Sequence, residues 1–124
     1  ASVVGEVKPN HEFYSYEAKY LDENGAGLEI PAKLSPALTK RVQETALAAF
    51  KVLECEGMSR VDMFVTNDRR VLVNEINTIP GFTKISMYPK LWQASGLSYT
   101  ALLDRLIVLA LIRAAREKKL KVNY

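Results

Sequence analysis

The sequence predicts an α+β fold in which helices pack on a mostly antiparallel sheet. The predicted elements follow one another as strand, loop, strand, helix, strand, strand, helix and helix, an order typical of segregated helices and strands rather than of βαβ units. Only three residues separate the two consecutive strands at 59–66 and 70–77, which favours an antiparallel hairpin. The 124 residues, 48% of them hydrophobic, suffice for one domain with a single core.

The first quarter of the chain contains two short predicted strands joined by a long loop. We expect strands at residues 1–8 and 28–32, and the intervening residues 10–25 carry four aromatic side chains without regular periodicity. Structureless loops of this length inside compact domains are usually functional or disordered, and the aromatic content argues against disorder. We therefore predict that residues 10–25 form a mobile lid.

Three helices are predicted from their capping residues and apolar spacing. The first begins after Ser35 and runs to about Leu53, because serine followed by proline favours a helix start. A short helix is expected at 89–95, and a long one at 99–118 after the capping residue Ser98. Apolar side chains recur at every third or fourth position of the two longer helices and should face the core. They are Leu38, Val42, Ala46, Ala49, Phe50, Leu53, Leu102, Leu103, Leu106, Leu109, Ala110 and Ile112.

The composition favours a cytoplasmic protein that binds neither nucleic acid nor membranes. The formal net charge of +3 is small, and the basic excess lies in the last dozen residues, where a solvated helix end favours lysine and arginine. The longest apolar run, at 106–112, is far shorter than the ~20 residues that span a bilayer, and no signal peptide is recognisable at the start. Cys55 is the single cysteine, so we expect a small buried thiol and a reducing compartment.

The two strands of the predicted hairpin carry charged and amide side chains on one face. Because side chains alternate along a strand, Arg60 and Asp62 share a face, as do Glu75 and Asn77. A two-residue turn at 68–69 would place Asp62 opposite Glu75 and Arg60 opposite Asn77. Two opposed carboxylates require a compensating cation. The residues leave two interpretations open: an all-oxygen Mg²⁺ site completed by nucleotide phosphates, or a surface salt bridge from Arg60 to one of the acids.

Four stretches of the sequence combine into a specific pattern. They are EFYSYEAKY at 12–20, SRVD at 59–62, NEINTIPGFT at 74–83 and ISMYP at 85–89. In content, order and spacing this pattern resembles the D-alanine:D-alanine ligases of the ATP-grasp superfamily. The resemblance implies that residues 1–124 are the carboxyl-terminal catalytic lobe of an ATP-grasp enzyme, whose amino-terminal and central domains would lie outside these residues.

The resemblance also implies a site for ATP and for Mg²⁺ or Mn²⁺. Asp62, Glu75 and Asn77 match the family's metal ligands, and the last two also serve the nucleotide through the metal that bridges its phosphates. Arg60 matches an arginine that stabilises phosphate and the developing tetrahedral centre, a task that suits the guanidinium fork. Lys19 matches a lid lysine that reaches the phosphates.

The positions that match substrate-binding residues of the family lie in two segments. Gly81 matches a glycine whose backbone N–H helps to form an oxyanion site, and a glycine permits a close backbone approach. Ser86 and Met87 match positions that hold the carboxylate of the second D-alanine. Tyr20 matches a lid tyrosine that closes over the first substrate and favours an amine as second substrate.

The activity implied by the resemblance is the ATP-dependent joining of two D-alanine molecules through an acyl phosphate, for peptidoglycan precursor synthesis. Cell wall biogenesis, control of cell shape, a cytoplasmic location and a homodimer of the full-length enzyme are expected with it. The alternatives are a D-alanine:D-lactate ligase, another ATP-grasp carboxylate-amine ligase, and a non-catalytic binding domain. We expect the 124 residues on their own to be inactive, because half of the nucleotide clamp and the first-substrate domain would be missing.

Overall fold

The computed structural model describes residues 1–9, 26–83 and 85–119. The predicted lid at 10–25, with Lys19 and Tyr20, lies outside the described residues. Within them the chain forms strands and helices in the predicted order. They are β1 Glu6–Pro9, β2 Ala26–Glu29, α1 Pro36–Val52, β3 Arg60–Val65, β4 Val71–Asn77, α2 Met87–Ala94 and α3 Tyr99–Glu117.

The strands in the described part of the chain form two antiparallel two-stranded sheets, one of β1 and β2 and one of β3 and β4. The prediction of an α+β fold with antiparallel pairing is confirmed, whereas the single sheet that we expected is divided in two. Strand β2 ends at Glu29 instead of residue 32, since Pro31 has no N–H to donate to a ladder. Strand β1 begins only at Glu6, because the backbone before it bonds elsewhere: the Val3 N–H donates to Ser95 Oγ at 2.8 Å.

Helix α1 begins where its capping residues predict and packs on the β3–β4 hairpin. The Ser35 hydroxyl oxygen accepts from the Leu38 N–H at 3.4 Å, and Val42, in the middle of the apolar stripe, is only 6% exposed. Leu53, predicted to face the core, is exposed instead. It is the C-cap residue, one position beyond the last helical residue, and no longer belongs to the stripe that packs on the hairpin.

Helix α2 begins at Met87, two residues earlier than predicted. The prediction placed Pro89 at the first helical position, but the third position tolerates proline equally well. The N–H groups of the first turn have no partner within a helix, so the missing proline N–H costs no hydrogen bond there.

Helix α3 is capped by Ser98, whose Oγ accepts from the Ala101 N–H at 3.2 Å. Leu102 is 3% exposed and, with the half-buried Leu106 and Leu109, faces inward as predicted. The remaining residues predicted for the core of this helix lie about 70–90° from the middle of that narrow stripe, on one side or the other, and are exposed. They are Leu103, Ala110 and Ile112.

The hydrophobic core is small in the described part of the chain. Its buried hydrophobic side chains are Val42 from α1, Tyr88 from α2 and Leu102 from α3. Cys55, expected as a buried thiol, is a half-exposed free cysteine. No described helix is by itself long and apolar enough to cross a membrane, and α2 with α3 would pass that test only as a pair bent by 106°.

Candidate functional site

The β3–β4 hairpin pairs Asp62 with Glu75 and Arg60 with Asn77, as predicted. The turn, however, is not the two-residue turn that the prediction assumed. The Thr66 N–H donates to the Arg70 carbonyl at 3.0 Å, so three residues form the loop between the strands.

Two irregularities of the hairpin compensate for each other. The longer loop shifts the pairing by one residue, so that Met63 lies opposite Val73. A β-bulge between Met63 and Asp62, which leaves Asn74 as an extra residue in β4, then restores the shift before the charged residues are reached. Bulges are frequent next to functional sites, because they redirect a side chain without ending the strand.

Arg60 lies between the two carboxylates of the hairpin. Its Nε and Nη2 donate to the two carboxylate oxygens of Asp62 at 2.7 and 2.8 Å, and Nη2 also lies 3.5 Å from Glu75 Oε1. The guanidinium therefore offsets the repulsion between the paired acids. Partly exposed ion pairs contribute only about 0–1 kcal/mol to stability, so structural stability alone does not account for this grouping of charges.

Asn77 ends strand β4 with its side chain held in one orientation. Its Oδ1 accepts a hydrogen bond from the Ile79 backbone N–H at 3.0 Å, which leaves the second lone pair of that oxygen available. Glu75, with its side chain 55% exposed, can reach a ligand from solvent. We call Arg60, Asp62, Glu75 and Asn77 the charged face of the hairpin.

The charged face offers oxygen atoms only, which suits Mg²⁺ or Mn²⁺ and not zinc. In the described ranges no three His, Cys, Asp or Glu side chains come together, and the charged face itself contains two carboxylates and one amide. Magnesium is usually held by one or two carboxylates together with substrate phosphates, and this set fits that pattern. Arg60 already bonds both oxygens of Asp62, so Glu75 and Asn77 are the more accessible ligands.

The segment that follows the hairpin brings Gly81 against Ser86. A Cβ atom built on Gly81 would lie 2.9 Å from Ser86 Oγ, closer than real Cβ contacts allow. The Thr83 N–H donates to Ser86 Oγ at 3.0 Å, and the two hydroxyl oxygens of Thr83 and Ser86 are 2.8 Å apart. We call residues 81–83 and 85–86 the glycine–serine turn; residue 84 lies outside the described residues.

An aromatic cluster supports the glycine–serine turn from the helix side. The ring of Phe82 lies 5.6 Å from those of both Tyr88 and Tyr99, and the Tyr99 hydroxyl donates to the Phe82 carbonyl at 3.0 Å. Burial raises the pKa of the Tyr88 phenol above its usual value, so this ring stays neutral at physiological pH. Sequence reasoning gave Tyr99 no role beyond the start of a helix, and no local signal marks its bond to Phe82.

Met87 is held from the opposite side by the start of the chain. A Cβ atom on Gly5 would lie 2.8 Å from Met87 Cε and 2.7 Å from Leu91 Cδ2. The glycine therefore allows the backbone before β1 to lie directly on α2. Close packing of this kind fixes the first turn of α2, where Ser86 and Met87 lie.

The predicted site residues thus fall into two described groups. The charged face contains the four residues predicted for metal and phosphate, and the turn with the start of α2 contains Gly81, Ser86 and Met87. Thr83 lies at the end of the stretch 74–83, which resembles the family, but the sequence predicted no role for it. The only signal in the sequence is that its hydroxyl lies three residues before Ser86. Lys19 and Tyr20 are outside the described residues.

Comparisons with known proteins agree with one family. The family model described as D-ala D-ala ligase C-terminus matches residues 1–108. A D-alanine–D-alanine ligase of Oceanobacillus iheyensis is 59% identical over 121 residues, which are 98% of this chain and 33% of that protein. The chain thus spans about a third of the length of the curated relatives it matches.

Two solved structures share the fold. The VanG D-Ala:D-Ser ligase of Enterococcus faecalis is 41% identical with a TM-score of 0.75, covering 87% of this chain and 31% of its own. The D-alanine–D-alanine ligase of Bacillus anthracis complexed with ATP is 36% identical with a TM-score of 0.74, covering 94% of this chain and 37% of its own. This chain therefore belongs to the D-alanine–D-alanine ligase family and corresponds to the carboxyl-terminal part of its members.

Proposed function

We propose that the protein containing this chain joins two D-alanine molecules to D-alanyl-D-alanine with ATP, releasing ADP and phosphate. The observation that carries the proposal is the charged face, on which Arg60, Asp62, Glu75 and Asn77 come together in a chain of this family. Peptidoglycan precursor synthesis in the cytoplasm, with its consequences for cell wall and cell shape, and a homodimer of the full-length enzyme belong to the same proposal.

Glu75 and Asn77, with Asp62 beside them, are proposed to hold Mg²⁺ or Mn²⁺ with the phosphates of ATP. The ion supplies neutralisation of phosphate charge when it is bound. Arg60 adds a fixed guanidinium next to the same phosphates. It is already oriented by Asp62, so little reorganisation is needed when negative charge develops in the transition state.

Gly81, Ser86 and Met87 are proposed to bind the second D-alanine and the developing oxyanion. Ser86 is the N-cap of α2. Every residue of this helix is described, and none of its N–H groups donates a capping hydrogen bond to the Ser86 hydroxyl. Pro89, at the third helical position, has no N–H to donate such a bond to the serine oxygen. The hydroxyl is therefore available to a carboxylate, and the positive end of the helix dipole favours the same charge.

Lys19 and Tyr20, outside the described residues, keep the roles that the family resemblance implies. Lys19 is proposed to reach the nucleotide phosphates, and Tyr20 to close over the first D-alanine when the lid at 10–25 moves. A lid excludes water from the acyl phosphate, which water would otherwise hydrolyse.

The proposed reaction has two steps. The carboxylate of the first D-alanine attacks the γ-phosphorus of ATP, and the bond to the ADP oxygen breaks to leave an acyl phosphate. The neutral amine of the second D-alanine then attacks the acyl carbon, and phosphate leaves as the new amide loses a proton. No protein nucleophile is required, so the contribution of this chain is positioning and charge stabilisation.

A second candidate, the use of D-serine in place of the second D-alanine, is favoured by one observation. The similar Enterococcus protein is a D-Ala:D-Ser ligase, and discrimination between side chains that differ by one hydroxyl depends on few contacts. D-lactate as second substrate would give an ester instead of an amide. The family resemblance of Tyr20 favours a second substrate with an amine over one with a hydroxyl.

The full-length protein tests the proposal directly. Phosphate release from ATP is measured with D-alanine alone and with D-alanine mixed with D-serine or D-lactate, and the product is identified by mass. We expect D-alanine alone to support turnover and to give the dipeptide. Absence of D-alanine-dependent phosphate release would overturn the proposal, and a mixed dipeptide as main product would replace it with the second candidate.

A further inference from the structure

We propose that Thr83 is a positioning residue, which turns the Ser86 hydroxyl into an obligate hydrogen-bond donor toward the carboxylate of the second substrate. The inference rests on the proposed function of Ser86. It assigns to Thr83 a task that neither the charged face nor the lid performs: setting the direction of the proton on one hydroxyl.

The hydrogen-bonding capacity of Ser86 carries the argument. A serine hydroxyl has one proton to donate and two lone pairs to accept. The Thr83 N–H fills one lone pair at 3.0 Å, and the Thr83 hydroxyl lies 2.8 Å away, where either oxygen can be the donor. When the serine proton goes to a carboxylate, the only compatible arrangement of this pair has Thr83 donating. Both lone pairs of Ser86 are then filled, and its proton can only point outward.

The peptide between Phe82 and Thr83 is fixed at both ends. Its carbonyl oxygen accepts from the Tyr99 hydroxyl at 3.0 Å, and its N–H donates to Ser86 Oγ at 3.0 Å. In a planar trans peptide the carbonyl and the N–H point in opposite directions, so holding both sets the orientation of the whole group. Thr83 therefore approaches Ser86 with a backbone whose direction is already determined by α3.

Among the described residues, the surroundings of Ser86 leave its hydroxyl few partners other than Thr83. The backbone of Gly81 runs beside this hydroxyl, since an added Cβ would lie 2.9 Å from the hydroxyl oxygen. On the side of α2 the hydroxyl accepts no capping hydrogen bond from the backbone N–H groups of the helix. A donor held in this way binds a carboxylate more strongly than a freely rotating hydroxyl, because fewer hydroxyl orientations are lost on binding.

The test uses the full-length enzyme with Thr83→Val, which removes the hydroxyl but keeps the branched shape and the backbone N–H. The Michaelis constants for D-alanine at the first and second subsites, that for ATP, and kcat are measured separately. We expect the second-subsite constant to rise about three- to tenfold, the effect of one neutral hydrogen bond, with the others within about twofold. Thr83→Ser, which retains a hydroxyl, should restore the wild-type value.

A double-mutant cycle with Ser86→Ala separates positioning from structural support. In the Ser86→Ala background, Thr83→Val should have no further effect on the second-subsite constant, since there is no hydroxyl left to orient. Thr83→Ala repeats the cycle if the valine variant does not fold. Thr100→Val, at an exposed threonine in the first turn of α3, is the matched control and should behave as wild type.

Four outcomes would overturn the inference. Equal effects of Thr83→Val with and without the serine hydroxyl would show a structural role only, and so would a fall in kcat at unchanged second-subsite constant. If Ser86→Ala left the second-subsite constant unchanged, the proposed role of Ser86 would itself be wrong. An effect of Ser86→Ala without an effect of Thr83→Val would leave Ser86 in its role and remove Thr83 from it.

Discussion

The charged face of the hairpin and the glycine–serine turn are held in shape by different forces. On the charged face, exposed ionic groups meet across two strands: Arg60 reaches Asp62 at 2.7 Å and Glu75 at 3.5 Å. In the turn, neutral hydroxyls and a glycine lie in contact, with Ser86 Oγ 2.8 Å from Thr83 Oγ1 and too close to Gly81 for a Cβ atom.

This difference determines how each region should respond to substitution. Long charged side chains in solvent can relax around a changed neighbour, so a substitution on the charged face alters the local charge with little effect on folding. A close-packed turn has no such freedom, because one added carbon displaces its neighbours. The charged face should therefore affect activity alone, whereas the turn should affect activity and stability together.

The largest expected effect comes from testing the two regions without the remainder of the enzyme. The 124 residues on their own should fold but give no D-alanine-dependent phosphate release, whereas the full-length protein should turn over. Holding three substrates in one water-poor cleft contributes up to ~7–11 kcal/mol, and the curated relatives are about three times as long as this chain. Turnover by the short chain within about tenfold of the full-length rate would show that the two regions suffice.

The next largest effect is expected for Glu75→Gln in the full-length protein. The substitution keeps the shape but removes the charge, and we expect kcat/KM to fall by about 10²–10³, the usual loss when an electrostatic group of a site is removed. The Mg²⁺ concentration for half-maximal rate should rise. Because Glu75 is exposed and 3.5 Å from Arg60, the free energy of unfolding should change by less than about 0.5 kcal/mol.

Glu44→Gln is the matched control for that variant. Glu44 is also an exposed glutamate with a basic partner, Lys40, at 3.8 Å, but it lies on the outer surface of α1. Its kcat/KM should stay within about twofold of wild type. Equal losses in the two variants would mean that net charge, not the position on the hairpin, determines the rate.

Features marked by local sequence signals could be predicted, whereas features without such signals could not. Helix α1 was predicted within one residue at its end, because Ser35 and Pro36 are local signals. The pairs Asp62–Glu75 and Arg60–Asn77 were predicted correctly but for an incomplete reason, since the same prediction paired Asn67 with Arg70 and the structure pairs Thr66 with Arg70. The three-residue loop and the bulge at Asn74 each shift the register by one, and neither has a marker that local pattern rules recognise.

Features that depend on distant packing were beyond local patterns. The apolar pattern of α3 marks Leu102 and Leu103 alike, yet only the former is buried, since the elements that cover the helix reach one narrow stripe. The contact of Gly81 with Ser86 depends on the path of the chain between them, which has no periodicity. The proposed roles of the site residues came from family resemblance, whereas the contacts among these residues are visible only in the structure.

Gly81→Ala should produce a smaller loss of activity than Glu75→Gln, accompanied by a loss of stability. The added Cβ at 2.9 Å forces the Ser86 hydroxyl to move and weakens its hydrogen bonds with Thr83. We therefore expect the second-subsite Michaelis constant to rise about tenfold and the free energy of unfolding to fall by about 0.5–1.5 kcal/mol. Steady-state kinetics and urea unfolding measure the two effects. Gly27→Ala is the control, since its nearest atom, Lys8 Cβ, would be 3.6 Å away. A kinetic loss without any loss of stability would contradict the contrast between the two regions.

The smallest expected effect is a pH-dependent one at the turn of the hairpin. Hydrogen bonds to Asp68, first from the Thr66 hydroxyl and then from Arg70 Nε at 2.8 Å, lower the pKa of this carboxyl below its ordinary value of 3.8. A lowered folded-state pKa stabilises the fold above the unfolded pKa, and this contribution is lost as the pH falls through the folded value. Asp68→Asn should therefore be less stable than wild type in urea at pH 7, and the difference should shrink below about pH 4 and vanish at lower pH.

In a carboxyl-carbon NMR titration, Thr66→Val should move the titration midpoint of Asp68 up toward 3.8, since this variant removes the larger cause of the lowered pKa. Activity should not change, because this turn is at the end of the hairpin opposite the charged face. A stability difference that stays constant from pH 7 to pH 2 would mean that the three-residue turn is maintained by backbone geometry alone, as the left-handed φ of 63° at Arg69 would allow.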